Sequence, residues 1–210
     1  MPIIIFHVGA LARYMSRPSK EHYQYAKGCL RFIIGNRKRQ LIYNAGKVKL
    51  PHLPGQLFAY SDASWADVIP RRKSTYCYIV FVNNAVFSWK SALSTILATS
   101  SGVAELLAVC AAVQEIAWAR QFASELGFLQ LAPTPLYIDS SAAKKIAEQG
   151  SFKGKTKAVD YRFHFVCDFI DRGIVQLRQI PRSQQLADIG TAARAAPEFL
   201  PTAKVWYGEA

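Results

Sequence analysis

Acidic side chains are the residues this chain has least of. Its 210 residues carry 14 Asp plus Glu against 26 Lys plus Arg, a formal net charge of +12. So basic a balance favours a nucleic acid over an acidic small molecule, although proteins that lie on membrane surfaces share the signature. Cysteine is scarce as well: Cys29, Cys77, Cys110 and Cys167 stand far apart in apolar settings, with no Cys-x-x-Cys pair. That pattern excludes a thiolate zinc site or a disulfide frame and reads as reduced core thiols of an intracellular protein. By count, no run reaches the ~18 apolar residues of a membrane span. The apolar opening, Met1 to Ala12, lacks the basic n-region of a signal peptide. The expectation is an unsecreted protein with no membrane partner. Charged residues make up only 19% and hydrophobic ones 51%, which excludes disorder by composition and allows one good core with a small appendage.

The apolar pattern divides the chain in two. Residues 1–36 read as helical, with Leu11, Tyr14 and Met15 at helical spacing and Ser19 capping a second segment from Lys20 to Ile34. A basic tail, Arg37-Lys-Arg39, leads to a short strand, Gln40 to Tyr43, and to a Pro/Gly linker at 51–55 that marks a domain boundary. Beyond it, Leu57–Asp62, Ser74–Val82 and Ala85–Trp89 read as strands, the last two joined by a two-residue turn at Asn83-Asn84. Ser100-Ser101 caps a long helix, Val103 to Leu126, apolar nearly all round and so buried between elements. Then come a strand, Pro135–Ile138, a helix to Gln149, a helix from Ala158 to Arg172, a strand, Ile174–Ile180, and a last helix from Ser183. Strands and helices in this order imply an α/β fold with a mixed sheet.

Against the scarcity of acids, four fall one to a segment: Asp62, Glu105, Asp139 and Asp188. Three sit among apolar or small residues, where an unpaired charge is costly to bury. A site that gathers them needs a cation. Oxygen ligands without His or Cys suit Mg²⁺ or Mn²⁺, and an acidic pocket in a basic protein suits metal-dependent phosphodiester chemistry.

These residues carry a resemblance. The stretches Leu11-Ala-Arg-Tyr-Met-Ser-Arg-Pro-Ser-Lys-Glu-His-Tyr-Gln-Tyr-Ala-Lys27, Tyr60-Ser-Asp-Ala-Ser-Trp-Ala66, Arg72-Lys-Ser-Thr75, Ser88-Trp-Lys90, Leu136-Tyr-Ile-Asp139, Gly154-Lys-Thr-Lys157, Arg162-Phe-His-Phe-Val166 and Gln185-Leu-Ala-Asp-Ile189 stand in family order. By them the chain resembles the ribonuclease H region of a copia-type retrotransposon polyprotein, preceded by the tail of its reverse transcriptase connection. The resemblance implies a helical remnant over 1–50, a ribonuclease H-like domain with a five-stranded mixed sheet over 56–200, and a tail over 201–210. It implies hydrolysis of the RNA strand of RNA–DNA hybrids with two Mg²⁺ or Mn²⁺ ions. Asp62 would bridge both ions, Glu105 and Asp139 would complete their shells, and Asp188 would hold the more mobile one. Arg72, Lys73, Ser74, Lys90, Ser140, Lys155, Lys157 and Arg162 become candidate nucleic-acid contacts, the reverse transcriptase domain a candidate partner, and the cytoplasm, a virus-like particle or the nucleus the expected location.

The departures are Ser140, Ala158, the run Gly190-Thr-Ala after Asp188, and the lack of a His ahead of Asp188, which implies slow product release. No Tyr-x-Asp-Asp stands anywhere in the chain, so polymerisation is not expected of it. A catalytically silent nucleic-acid-binding remnant stays open as an alternative. A transposase or integrase would place Glu last, and a proofreading exonuclease would need an acid where Ser64 stands. Gly154-Lys-Thr156 has its upstream Gly one residue too close for a phosphate-binding loop.

Overall fold

A computed structural model describes residues 1–43, 55–69, 71–141, 143–144 and 157–209, without the side chains of 157 and 158. Three strands rich in Val, Ile, Phe and Tyr form an antiparallel meander: β1 (Phe58–Val68), β2 (Lys73–Val82) and β3 (Ala85–Leu93). Asn83 and Asn84 both take left-handed backbone angles, φ 46° and 68°, which is what a two-residue hairpin turn demands. After the long helix α3 (Ser101–Glu125) come β4 (Thr134–Ile138), helix α4 (Lys157–Asp171) and β5 (Val175–Gln179). The sheet order is β3-β2-β1-β4-β5, with β4 parallel to both β1 and β5. This is the five-stranded mixed sheet that the resemblance implies.

Both faces of the sheet are covered. On one, Leu57, Ala59, Val80, Leu136 and Leu177 pack against Val109, Val113 and Ile116 of α3. Every residue from Gly102 to Cys110 is buried, so this first part of the helix is apolar nearly all round because it is enclosed all round. Its length and composition would suffice to cross a membrane, but 72% of its apolar window is buried inside the protein. Glu105, Gln114 and Glu115 interrupt its apolar residues, so the helix holds no unbroken apolar run of membrane-spanning length.

The other face reveals what the boundary at 51–55 obscured. Phe58, Ile79 and Phe81 pack with Ile3 and Ile4, which precede helix α1 (Ile5–Ala12), and with Trp206 and Tyr207 of helix α5 (Ala196–Tyr207). Most of that linker lies outside the described residues. The segment before it nevertheless closes the sheet's core, and the tail expected over 201–210 is largely the second half of a helix. Two prolines, Pro197 and Pro201, hid that helix: the first suits its opening turn, while the second, inside it, removes a backbone donor. Residues 40–43 form no strand; Ile42 N–H instead donates to the Tyr207 carbonyl at 2.8 Å. Helix α2 (Lys20–Gly35) begins at the expected cap, Ser19 Oγ accepting His22 N–H. The four cysteines form no disulfide; Cys77 and Cys110 are buried. The helix expected to end at Gln149 lies largely outside the described residues.

Candidate metal centre

Strand alternation aims the first acid. Phe58 and Tyr60 project to the face shared with Ile79 and Tyr137, and Asp62, two residues on, continues that row into the protein. Tyr60 pairs with Tyr137 across the parallel β1–β4 ladder. Asp139 also lies two residues past its partner, just beyond the end of β4, so the register brings its carboxylate level with that of Asp62 inside β1. Glu105 arrives from the first turns of α3, whose start is fixed by Ser100 Oγ accepting Val103 N–H at 3.3 Å. Asp62, Glu105 and Asp139 each offer an oxygen within 4.8 Å of the others.

Such a group is electrostatically unhappy without a cation. Burial pushes the Asp62 carboxyl up to about 6, with the charges of Asp188 and Asp139 adding to the rise and the Thr191 hydroxyl opposing it. Burial, then Asp62 and Asp139, push Glu105 up to about 9. Asp139 is also raised, mainly by burial. One Glu105 oxygen, Oε2, is buried with no hydrogen-bond partner among the described residues. A buried carboxylate oxygen without a donor costs free energy that a divalent ion would recover. The all-oxygen donor set fits Mg²⁺ or Mn²⁺ and gives nothing that a soft metal would prefer.

Asp188 arrives differently from expectation. No α-helix starts at Ser183; Asp188 stands in a 3₁₀ turn, Leu186–Gly190, seated under the sheet. Gln185 Nε2 ties the turn to the Ser61 carbonyl at 2.9 Å, and Thr191 Oγ donates to Asp62 Oδ2 at 2.5 Å. Gly190 is required by the close approach: a Cβ there would lie 2.2 Å from Cys77 Sγ. Asp188 stands outside the group of three, and its Oδ1 is held by Arg194, with Arg182 at 3.8 Å. Gln185, Thr191 and Arg194 were not anticipated. The available signal was spacing: Gln185, Asp188 and Thr191 recur every third residue, the period of a 3₁₀ turn.

The candidate phosphate contacts scatter. Arg72 is exposed in the β1–β2 turn at φ 49°, Lys73 is half-buried beside it, and Lys90 is exposed on the edge strand β3. Ser74 is buried, its hydroxyl accepting Ala66 N–H at 3.1 Å, so it serves the bulged hairpin and is not presented to a ligand. Ser140 Oγ accepts Ala143 N–H at 3.1 Å. Arg162 lines a small cleft with Tyr76, Cys110 and Gln114. Lys155 and the Lys157 side chain lie outside the described residues. A cavity of about 730 Å³ lies away from the acids between α1, α2 and α5, lined by Leu11, Tyr14, Phe32 and Phe199, with Arg194 standing between the two.

Sheet order and site together define an α/β fold with a five-stranded mixed sheet that carries a carboxylate centre on its adjoining first and fourth strands. No protein-family model matches the chain. The Retrovirus-related Pol polyprotein from transposon TNT 1-94 of Nicotiana tabacum is 30% identical over 190 residues, covering 90% of this chain. The chain spans only 14% of that relative's length. Secreted RxLR effector protein 161 of Plasmopara viticola is 33% identical over 118 residues, 56% of this chain and 78% of its own length. Among solved structures, LC11-RNase H1 in complex with an RNA/DNA hybrid superposes with a TM-score of 0.47 and 18% identity, covering 63% of this chain and 91% of that one. The chain is similar, over about nine tenths of its length, to a part of the Pol polyproteins of copia-type retrotransposons.

Proposed function

We propose that this chain is a ribonuclease H-type endonuclease that hydrolyses the RNA strand of RNA–DNA hybrids during retrotransposon reverse transcription. The observation that carries the reading is the Glu105 oxygen buried without a hydrogen-bond partner among the described residues, between two further carboxylates, in a protein of net charge +12. Asp62, Glu105 and Asp139 would hold the divalent ion, and Asp188 would join them for a second. A divalent ion so held supplies a nucleophilic water at neutral pH and compensates charge on the leaving oxygen. Thr191 fixes the direction of the Asp62 carboxylate, and the Gln185 bond to Ser61 keeps the turn that carries Asp188 against β1. Arg72, Lys73 and Lys90 supply sequence-independent attraction to phosphate. Discrimination for RNA rests on the 2′-hydroxyl and the A-like groove. The polyprotein relatives favour a reverse transcriptase domain as partner, and with it an intracellular site of action.

An end-labelled hybrid incubated with Mg²⁺ or Mn²⁺ tests the reading. Cleavage of the RNA strand alone, sparing duplex DNA and lost in Asp62→Asn, is the expected result. A hybrid that binds but stays intact with either ion would return the chain to the silent nucleic-acid-binding remnant.

A further inference from the structure

Resting on the metal-centre reading, we propose that Arg194 sets how many cations this site holds, by keeping Asp188 in an ion pair that a second ion must break. Three acids converge with oxygens within 4.8 Å, and Asp188 is not among them. Its Oδ1 is bonded to Arg194 Nη2, while Arg182 lies at 3.8 Å. Both members of the Arg194–Asp188 pair are mostly shielded, with side chains 21% and 20% exposed, whereas Arg182 is 74% exposed. A shielded, hydrogen-bonded pair is screened little by water or salt, so Asp188 is held by Arg194 more firmly than by the exposed and more distant Arg182. Arg194 is also anchored from behind: it borders the apolar cavity between α1, α2 and α5 and lies 3.9 Å from Glu198 on α5. The guanidinium thus stands where a cation facing Asp188 would be answered. The first ion can settle on Asp62, Glu105 and Asp139 without disturbing this pair. A second one cannot use Asp188 until Arg194 swings away.

Calorimetric titration of Mn²⁺ into the whole chain, with no nucleic acid present, counts ions and affinities independently of catalysis. Wild type is expected to bind one ion in the first class and a second far more weakly. Arg194→Met keeps the aliphatic stem against the cavity wall and should tighten the second class on the order of tenfold, equivalent to about 1.4 kcal/mol. Arg182→Met, which removes an equal charge without freeing Asp188, should change little. The double variant Arg194→Met, Asp188→Asn should lose the gain. Unchanged second-class affinity in Arg194→Met, or an equal gain in Arg182→Met, overturns the inference and leaves the metal-centre reading standing. If wild type takes up no ion at all, or if Asp62→Asn leaves the first class intact, the metal-centre reading itself fails, and this inference with it.

Discussion

Two glutamates on helix α3, ten residues apart, have opposite fates. Glu115 is met by donors: Tyr78 Oη gives a hydrogen bond to Oε2 at 2.9 Å and Ser88 Oγ one to Oε1 at 2.5 Å, tying the helix to β2 and β3. Glu105 is met by two more carboxylates and keeps an oxygen with no described donor. Same residue, same helix, and less than three turns between them. Where the fold supplies hydroxyls, a buried acid holds structure together. Where it supplies other acids, the acid is left in want of something from outside the chain, which is the mark of a site.

The sharpest way to break this contrast is to remove ligands. Asp62→Asn or Asp139→Asn should lower hybrid hydrolysis on the order of 10³-fold while hybrid affinity, set by Lys and Arg, stays within a few-fold. Cleavage assays beside binding measurements at fixed salt would check this, and undiminished cleavage by both variants would dissolve the site. Next in size is the packing of the first residues. Ile3 is fully buried with Ile79, Phe81 and Trp206, so Ile3→Ala should cost about 2–5 kcal/mol of unfolding free energy. Removal of residues 1–50 should cost more and strip the sheet of one wall. A truncated protein that melts as cooperatively and as high as the whole chain would show the opening segment to be dispensable.

Smaller, and aimed at the contrast itself, is the exchange of the two glutamates for residues without charge. Glu115→Ala leaves the Tyr78 and Ser88 hydroxyls unanswered and should destabilise by about 1–3 kcal/mol. Glu105→Gln removes a carboxyl that must take up a proton to be buried beside two other acids, and should raise the melting temperature of the metal-free protein at neutral pH. Denaturant melts of both variants, without metal, give the comparison directly. Equal losses in the two would mean that Glu105 is structural after all.

How much of this the sequence disclosed depends on the kind of interaction. Period-two alternation placed β1 to β3 and the left-handed Asn83-Asn84 turn, because local side-chain sterics alone decide them. Asp62, Glu105 and Asp188 were legible because their apolar or small neighbours made isolated burial costly, while Asp139 and the convergence of the acids came from the order of motifs that carries the resemblance. Asp188 was visible as an acid but not as the ion-pair partner of Arg194, since nothing local in Thr191-Ala-Ala-Arg194 announces which charge it answers. The contact of Gly190 with Cys77 joins residues 113 apart and has no signature in either stretch. Ile3 and Ile4 likewise read as the apolar start of a helix, and only the sheet face they cover shows them to be core.

The last prediction turns the unmet acid into a pH profile. Glu105 has a folded value of about 9 against an ordinary 4.5, and Asp62 about 6 against 3.8. A raised carboxyl holds its proton longer in the folded protein than in the unfolded chain, so the folded state binds more protons between those values. Stability from these groups is therefore greatest at the acid end, falls as pH rises through the Asp62 window and on through that of Glu105, and falls no further above about 9. Each proton so held contributes a slope of at most about 1.4 kcal/mol per pH unit. Without divalent ions, wild type should melt lower at pH 8 than at pH 5.5, against the usual trend of acid-labile proteins. Glu105→Gln should flatten that decline, since an amide does not titrate. Mn²⁺ binding only the folded state should lift the melting temperature most at pH 8, where protons compete least with the ion for the carboxylates, by RT ln(1 + [L]/Kd), about 2.7 kcal/mol at a hundredfold excess over Kd. A melting temperature equally independent of pH in wild type and in Glu105→Gln would mean that the buried oxygen finds a donor in solution, and that the two ends of α3 are not the opposites their hydrogen bonds make them.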